Sequence, residues 1–225
     1  MRFPILLSIF VFLFLLVLFP LFFGGLMIGA LAKLHLDPDM AFFLVFAIIL
    51  GGAINIPVKH IPRDEEMPDW RFGAYGLGGL FPQFQRQTRE TVIAVNLGGC
   101  IIPTLIALYE LRFVAEQGTE ALTAAALAAA VNIFACYRLA RPMPGVGIGM
   151  PALITPLIAA AVAMLLAPDY APPVAFIAGV AGPLIGTDLL HLKDISKISV
   201  GTLSIGGAGT FDGIILSGIV AAYLA

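Results

Sequence analysis

Long apolar runs separated by short polar stretches recur from one end of the chain to the other. Seven are long enough to cross a bilayer, which takes about 17–25 residues of helix. They run approximately Phe3–Leu34, Met40–Val58, Thr91–Val114, Ala121–Leu139, Pro151–Ala167, Val174–Leu192 and Val200–Ala225. The pattern predicts an all-α, polytopic integral membrane protein: one transmembrane domain, 1–225, of about seven helices. Broken or re-entrant segments are expected near 144–151 and 200–211, where prolines and glycines crowd the apolar sequence. The opening MRFPILLSIFVFLFLLVLF is longer than the 7–15 apolar residues of a cleavable signal, so it reads as a span. An A-x-A at Ala30–Ala32 leaves cleavage as an alternative.

Composition agrees. The chain is 60% hydrophobic and 12% charged, with mean hydropathy +1.01, whereas soluble domains carry about 25% charged residues. The expected partner is therefore the lipid bilayer. A net charge of −2 gives no basis for binding nucleic acid. Cys100 and Cys136 both lie inside apolar runs and read as small core residues rather than a disulfide framework.

Charge also predicts orientation. Arg2, Lys59, Arg63, Arg71, Arg86, Arg89, Arg138, Arg141, Lys193 and Lys197 fall on one side of the seven-span arrangement, and only Lys33 and Arg112 on the other. Ten against two predicts an N-terminus in the cytoplasm and a C-terminus outside. The longest connection, Lys59 to Glu90, is too short for a catalytic domain of its own. Its YGLGGLFPQF lacks the Lys-Ser/Thr of a phosphate-binding loop, and no cofactor is implied. Trp70, Tyr75, Phe81 and Phe84 suit a loop resting on the membrane interface.

On this topology the unusual residues gather in the cytoplasmic half of the spans: Asn55 with Pro57, Asn96, Asn132, the PMPGVGIGMPALITP stretch with Pro144, Pro151 and Pro156, Asp188 and Asp212. The outer half reads as plain aliphatic and aromatic sequence. A carboxylate at mid-span costs about 2.5–3.5 kcal/mol on insertion scales and normally faces protein or water. Two of them suggest a water-filled cavity open to the cytoplasm, whereas the asparagines are equally suited to bonding helices together.

The last run explains its own acid in part. Gly201, Gly206, Gly207 and Gly209 each disfavour helix by about 1 kcal/mol relative to Ala. Asp212–Ala225 would rise only about 21 Å as a helix. A discontinuous span follows: an irregular glycine-rich stretch, then a half-helix capped by Thr210 or Asp212. The alternative is a straight helix whose glycines pack against a neighbour.

Two carboxylates on neighbouring spans suit aspartyl chemistry, with one acid ionised to activate water and the other protonated to polarise a carbonyl. GAGTFD at Gly207–Asp212, Asp188 on the preceding span and Pro151-Ala152-Leu153 resemble, locally, the intramembrane aspartyl proteases of the presenilin, signal-peptide-peptidase and prepilin-peptidase group. Those enzymes carry Gly-x-Gly-Asp, a second Asp on an adjacent span and, in presenilins, Pro-Ala-Leu. Here Thr210 and Phe211 separate the glycines from the acid, Thr187 precedes Asp188, and Pro-Ala-Leu comes before both acids. The resemblance implies catalysis by Asp188 and Asp212, with Gly207, Gly209, Thr210, Pro151, Ala152 and Leu153 about a membrane-peptide substrate. Asn55, Asn96 and Asn132 complete the expected substrate-binding set. More broadly, the chain looks like one of the uncharacterised multi-pass families of prokaryotes, a resemblance that implies the cytoplasmic (inner) membrane as its location. A secondary transporter or ion-coupled carrier would use the same acids as a proton or cation site for a small ion or solute. A metal site from His60, His191, Asp188 and Asp212 lacks any recognised ligand motif, and a purely structural role is the remaining alternative.

Overall fold

The computed structural model describes residues 22–68, 84–143, 147–193 and 202–225, with positions 7, 8, 10 and 14. Most of the first expected span, the aromatics Trp70, Tyr75 and Phe81, and residues 144–146 and 194–201 lie outside them. Among the described residues the chain is mainly helical. Helices α1 (Phe22–Leu31), α2 (Pro38–Gly51), α3 (Ile102–Glu116), α4 (Thr119–Leu139), α5 (Ile154–Leu166), α6 (Ala171–Ala181) and α7 (Gly213–Leu224) alternate with strands β1 (Asn55–Pro68), β2 (Phe84–Asn96), β3 (Arg141–Met143), β4 (Gly147–Gly149) and β5 (Thr202–Ile205).

Three helical stretches are long and apolar enough to cross a membrane: Leu97–Glu116, Thr119–Leu139 and Pro168–Leu189. Helices α1, α2, α5 and α7 are shorter. The expected runs shorten for identifiable reasons. Met40–Val58 stops being helical at Gly51: Gly52 and Ala53 close the last turn, and from Asn55 the chain runs as a strand carrying Pro57 and Pro62, which a helix interior would not accept. Thr91–Asn96 is strand because Thr91, Val92, Ile93 and Val95 are β-branched and suit a pleated surface. The all-α expectation therefore misses a sheet. The Lys59–Glu90 connection, expected as an interfacial loop, supplies most of its first two strands.

β1 and β2 pair antiparallel from Asn55↔Asn96 to Pro68↔Phe84, with a register shift between Pro57 and Lys59. The sheet order is β1-β2-β5. The prolines at 57, 62 and 68 fall on β1, an outer strand, where a missing N–H does least harm. β5 joins β2 in parallel, Val92↔Thr202 to Val95↔Ile205. β3 and β4 form a small separate ribbon.

α6 is the centre of the helical part. Every residue from Pro173 to Val180 is buried, and α3, α4, α5 and α7 all touch it. The buried residues of α4, Ala121, Ala124, Ala125, Ala128, Asn132 and Cys136, are spaced as one helical face. Small side chains on that face let helices approach closely without a hydrophobic drive between them. The α6–α7 contact is close as well: a Cβ on Gly179 would stand 2.6 Å from the carbonyl oxygen of Ser217. Outward, Phe43, Phe134 and Leu165 are 70%, 66% and 79% exposed, which fits contact with lipid. Cys100 and Cys136 are free thiols in the interior.

Candidate functional site

The irregular backbone collects at one end, where the sheet meets the helices. Strand β2 enters α3 through a π-helical turn, Leu97–Ile101, and Asn96 caps that turn by accepting from the Gly99 N–H at 2.7 Å. The Asn96 amide nitrogen donates to Gly52 O (2.8 Å) and to Asn55 Oδ1 (3.1 Å). Ser204 of β5 also donates to Asn55 Oδ1. One small polar network thus joins the end of α2, the start of α3 and strand β5.

Glycines make this junction possible. A Cβ on Gly98 would meet Ile48 O at 2.1 Å, and one on Gly99 would meet Gly206 O at 2.2 Å. Gly206 and Gly209 turn the chain after β5 with φ of 73° and 61°, a region L residues avoid. The stretch from Thr202 therefore runs as strand, turn and a short 3-10 turn (Gly209–Phe211) before α7 begins. Asp212 is the N-cap of α7: one oxygen accepts from the Ile214 N–H at 3.0 Å, the other from the Ala208 N–H at 3.3 Å.

The second acid reaches the same place from α6. Beyond Ala181 that helix continues as a π-helical segment, Gly182–Leu189, which carries Asp188. π-Helical turns are rare and concentrate at functional sites. Asp188 lies against the backbone N–H of Gly206 and within electrostatic range of Asp212. Both acids line a cavity of about 350 Å³ with Ile148, Leu192, Gly207, Ala208 and the whole of β5. They also line a second cavity of about 210 Å³, with Met150, Ala152, Pro183, Thr187, Gly213 and Leu216. The acids, with Ile148, are common to both spaces. Among the described residues neither acid has a Lys, Arg or His ion-pair partner.

Of the other residues singled out by sequence, Gly207 and Ala152 face these spaces. Gly209 packs on Gly52, and Thr210 is half-buried in the 3-10 turn. Pro151 and Leu153 are exposed and line neither cavity. Asn55 and Asn96 brace the junction. Asn132 is buried away from the cavities, donating to Ala178 O at 2.8 Å. The four-residue metal reading gains no geometry. His191 Nδ1 turns back to Gly186 O and Thr187 O, each at 3.0 Å, and no three ligand side chains converge among the described residues.

Sequence reasoning missed one buried carboxyl altogether. Glu110 of α3 is fully buried at the opposite end, accepting from the His35 N–H at 3.2 Å, with His35 Nδ1 3.0 Å from its other oxygen. The expectation that one half of every span is free of polar residues fails there. The signal was in the sequence: a Glu one turn from the end of an apolar run, ALYELRF.

The fold and site define a mainly helical membrane protein with a two-acid cavity where its sheet and helices meet. By sequence the chain belongs to the family described as "Protein of unknown function (DUF1614)", whose model matches residues 49–224. That match takes in both acids, the sheet and every helix from α3 onward. No curated protein and no solved structure matches the chain.

Proposed function

We propose that this protein is an intramembrane aspartyl-type hydrolase cleaving peptide bonds at Asp188 and Asp212. One observation carries the reading. Two carboxyls from separate elements border the same two cavities, without a cationic partner among the described residues. A structural acid is normally paired, whereas a pair sharing a cavity can split its roles. The ionised acid takes a proton from water as that water attacks the carbonyl carbon, and the protonated acid hydrogen-bonds the carbonyl oxygen. The proton then passes to the departing amine.

The sheet supports a peptide as substrate. β5 is an outer strand of the sheet, and all four of its residues line the larger cavity. An extended segment laid along its outer edge would gain backbone hydrogen bonds and bring its carbonyls past the acids. In this reading the short helices α5 and α7 are half-spans that start at the cavity within a seven-segment membrane domain. The N-terminus lies in the cytoplasm of a prokaryotic inner membrane, the C-terminus outside, and the cavity opens inward.

A second reading, an ion-coupled carrier, is favoured by one feature: α7 begins in mid-molecule with its N-terminus on the cavity, as half-helices do in carrier sites. The two readings separate on reconstituted protein. Asp188→Asn, Asp212→Asn and the double variant are assayed for cleavage of a membrane-peptide library and for pH-dependent solute uptake. Hydrolysis requires both single variants to lose cleavage, and the double to lose no more than either. Full cleavage in either single variant would falsify it. A carrier would show uptake without cleavage, with one variant uncoupled from pH.

A further inference from the structure

A cavity of about 410 Å³, larger than either acid-lined one, lies between α3 and α4 with α6 as its floor. Its walls run from Thr104 to Leu111 on α3, from Leu122 to Ile133 on α4, and from Ile177 to Ile185 on α6 and its π-helical continuation. All three walls belong to the stretches that are long and apolar enough to cross a membrane. The floor is buried at Ile177 and Val180, whereas Leu108 and Leu122 at the rim are exposed. The space therefore opens sideways, and its rim continues into the exposed apolar faces at Leu105 and Leu127 where bilayer lies against the protein.

The lining decides what can enter. Thr104 is its only residue with a polar side chain, and that hydroxyl already donates to Cys100 O at 2.7 Å. A peptide backbone or a charged solute would give up its hydrogen bonds to water and find none in return. Water does not fill an apolar cavity, and empty space would cost the walls their dispersion contacts. Shape narrows the choice further. At 1.5 Å per residue the groove extends about 10 Å along α3 and about 16 Å along α4. Its volume then leaves a mean cross-section of about 25–40 Å². A helix about 10 Å across would need about 80 Å². A single hydrocarbon chain fits, and a helix does not.

We infer that this groove is a lipid site, holding one acyl chain of a bilayer lipid along α3 and α4. Ala125, Ala126 and Ala129 of α4 make the room, since larger side chains there would fill it. Leu184 and Ile185 belong to the π-helical segment that carries Asp188, so the bound chain packs on the element that positions that acid. The groove shares no lining residue with either acid-lined cavity. It is a separate site, and it holds for a hydrolase and a carrier alike.

The test places the full-length protein in phosphatidylcholine vesicles doped with a phosphatidylcholine that carries a photoreactive diazirine at the middle of one acyl chain. After illumination, tandem mass spectrometry locates the adducts. They should concentrate on Leu108, Leu111 and Ala126, which line the groove, over Leu105, Leu127 and Phe134, which are exposed outside it. Ala126→Leu combined with Ala129→Leu fills the groove and should lower adducts at Leu108 and Leu111 about tenfold, a loss of about 1.4 kcal/mol in binding. Ala130→Leu, at an exposed position that does not line the groove, should leave them unchanged. Adducts spread evenly over inner and outer positions mean an ordinary lipid annulus and overturn the proposal on the wild-type protein alone. Undiminished adducts in a folded, filled variant overturn it as well. Disulfide-linked dimers of Leu108→Cys protein, with lipid adducts absent from the groove, would assign it to a second copy of the chain instead.

Discussion

The two ends of the molecule bury carboxyls in opposite ways. At the far end Glu110 is wrapped by one loop residue. His35 gives it a backbone N–H and a ring nitrogen, while the Tyr109 hydroxyl donates to His35 O and the His35 ring stacks on Phe113. Nearby, Lys33 donates to Tyr223 O at 2.6 Å, tying the α1–α2 loop to the end of α7. At the other end Asp188 and Asp212 meet backbone N–H groups and open space. The difference teaches that depth alone does not mark a site. Glu110 is fully buried, yet each of its oxygens meets a nitrogen of His35 and it lines neither acid-lined cavity. What distinguishes the aspartates is that their elements stop being regular there and leave room.

The sharpest break between the ends should come from glycine. Gly99→Ala puts a methyl 2.2 Å from a carbonyl oxygen that belongs to another backbone turn, so it cannot be relieved by rotating a side chain. The cost should exceed the 1–3 kcal/mol of ordinary overpacking, and the variant should fail to accumulate in membranes. Gly118, linking α3 to α4 at the far end, has open space around it but φ of 115°. With ψ of 176° it sits in an extended region almost confined to glycine, so its alanine variant should lose about 1–3 kcal/mol and still fold. Equal yields of the two variants in a membrane-fraction blot would remove the idea of a glycine-built junction.

Next in size is the Glu110 clasp. Glu110→Ala leaves the His35 backbone N–H without its acceptor and opens a cavity in α3. Breaking a buried pair from one side costs about 3–5 kcal/mol. Because His35 is 35% exposed and water can reach part of it, a loss near 2–3 kcal/mol is expected. Whatever activity the wild type has should survive per folded molecule. Denaturation by detergent titration, alongside the activity assay, separates the two: a stable but inactive Glu110→Ala would move this acid from clasp to site.

The same contrast shows how much could be read in advance. The two aspartates, the broken last span and the half-helix from Asp212 were legible because Gly and Asp are disfavoured in membrane helices, so their presence needs a cause. The sheet was not legible. TVIAV suits an apolar helix as well as a strand, and its pairing with β1 on one side and a distant TLSI on the other decides the matter. Asn55 and Asn96 drew attention for polarity, but their use lies in a network closed by Ser204, which is unremarkable in sequence. Glu110 was missed because it looked like a span terminus, and its partner is 75 residues away.

The smallest expected effect is also the most diagnostic, because Asp212 has two duties. It caps α7 through Ile214 and borders both cavities. Asparagine caps a helix about as well as aspartate, whereas alanine at such a position costs about 0.5–2 kcal/mol. Asp212→Asn should therefore leave Tm close to wild type, and Asp212→Ala should lower it by the equivalent of about 1 kcal/mol. If the acid is catalytic, both variants lose activity alike, because neither can exchange a proton with water. If Asp212 is only a cap, activity follows stability instead, with Asn near wild type and Ala reduced. Thermal melts and turnover on the same two preparations decide between these outcomes. An active Asp212→Asn protein would place Asp212 with Glu110, as an acid kept for structure.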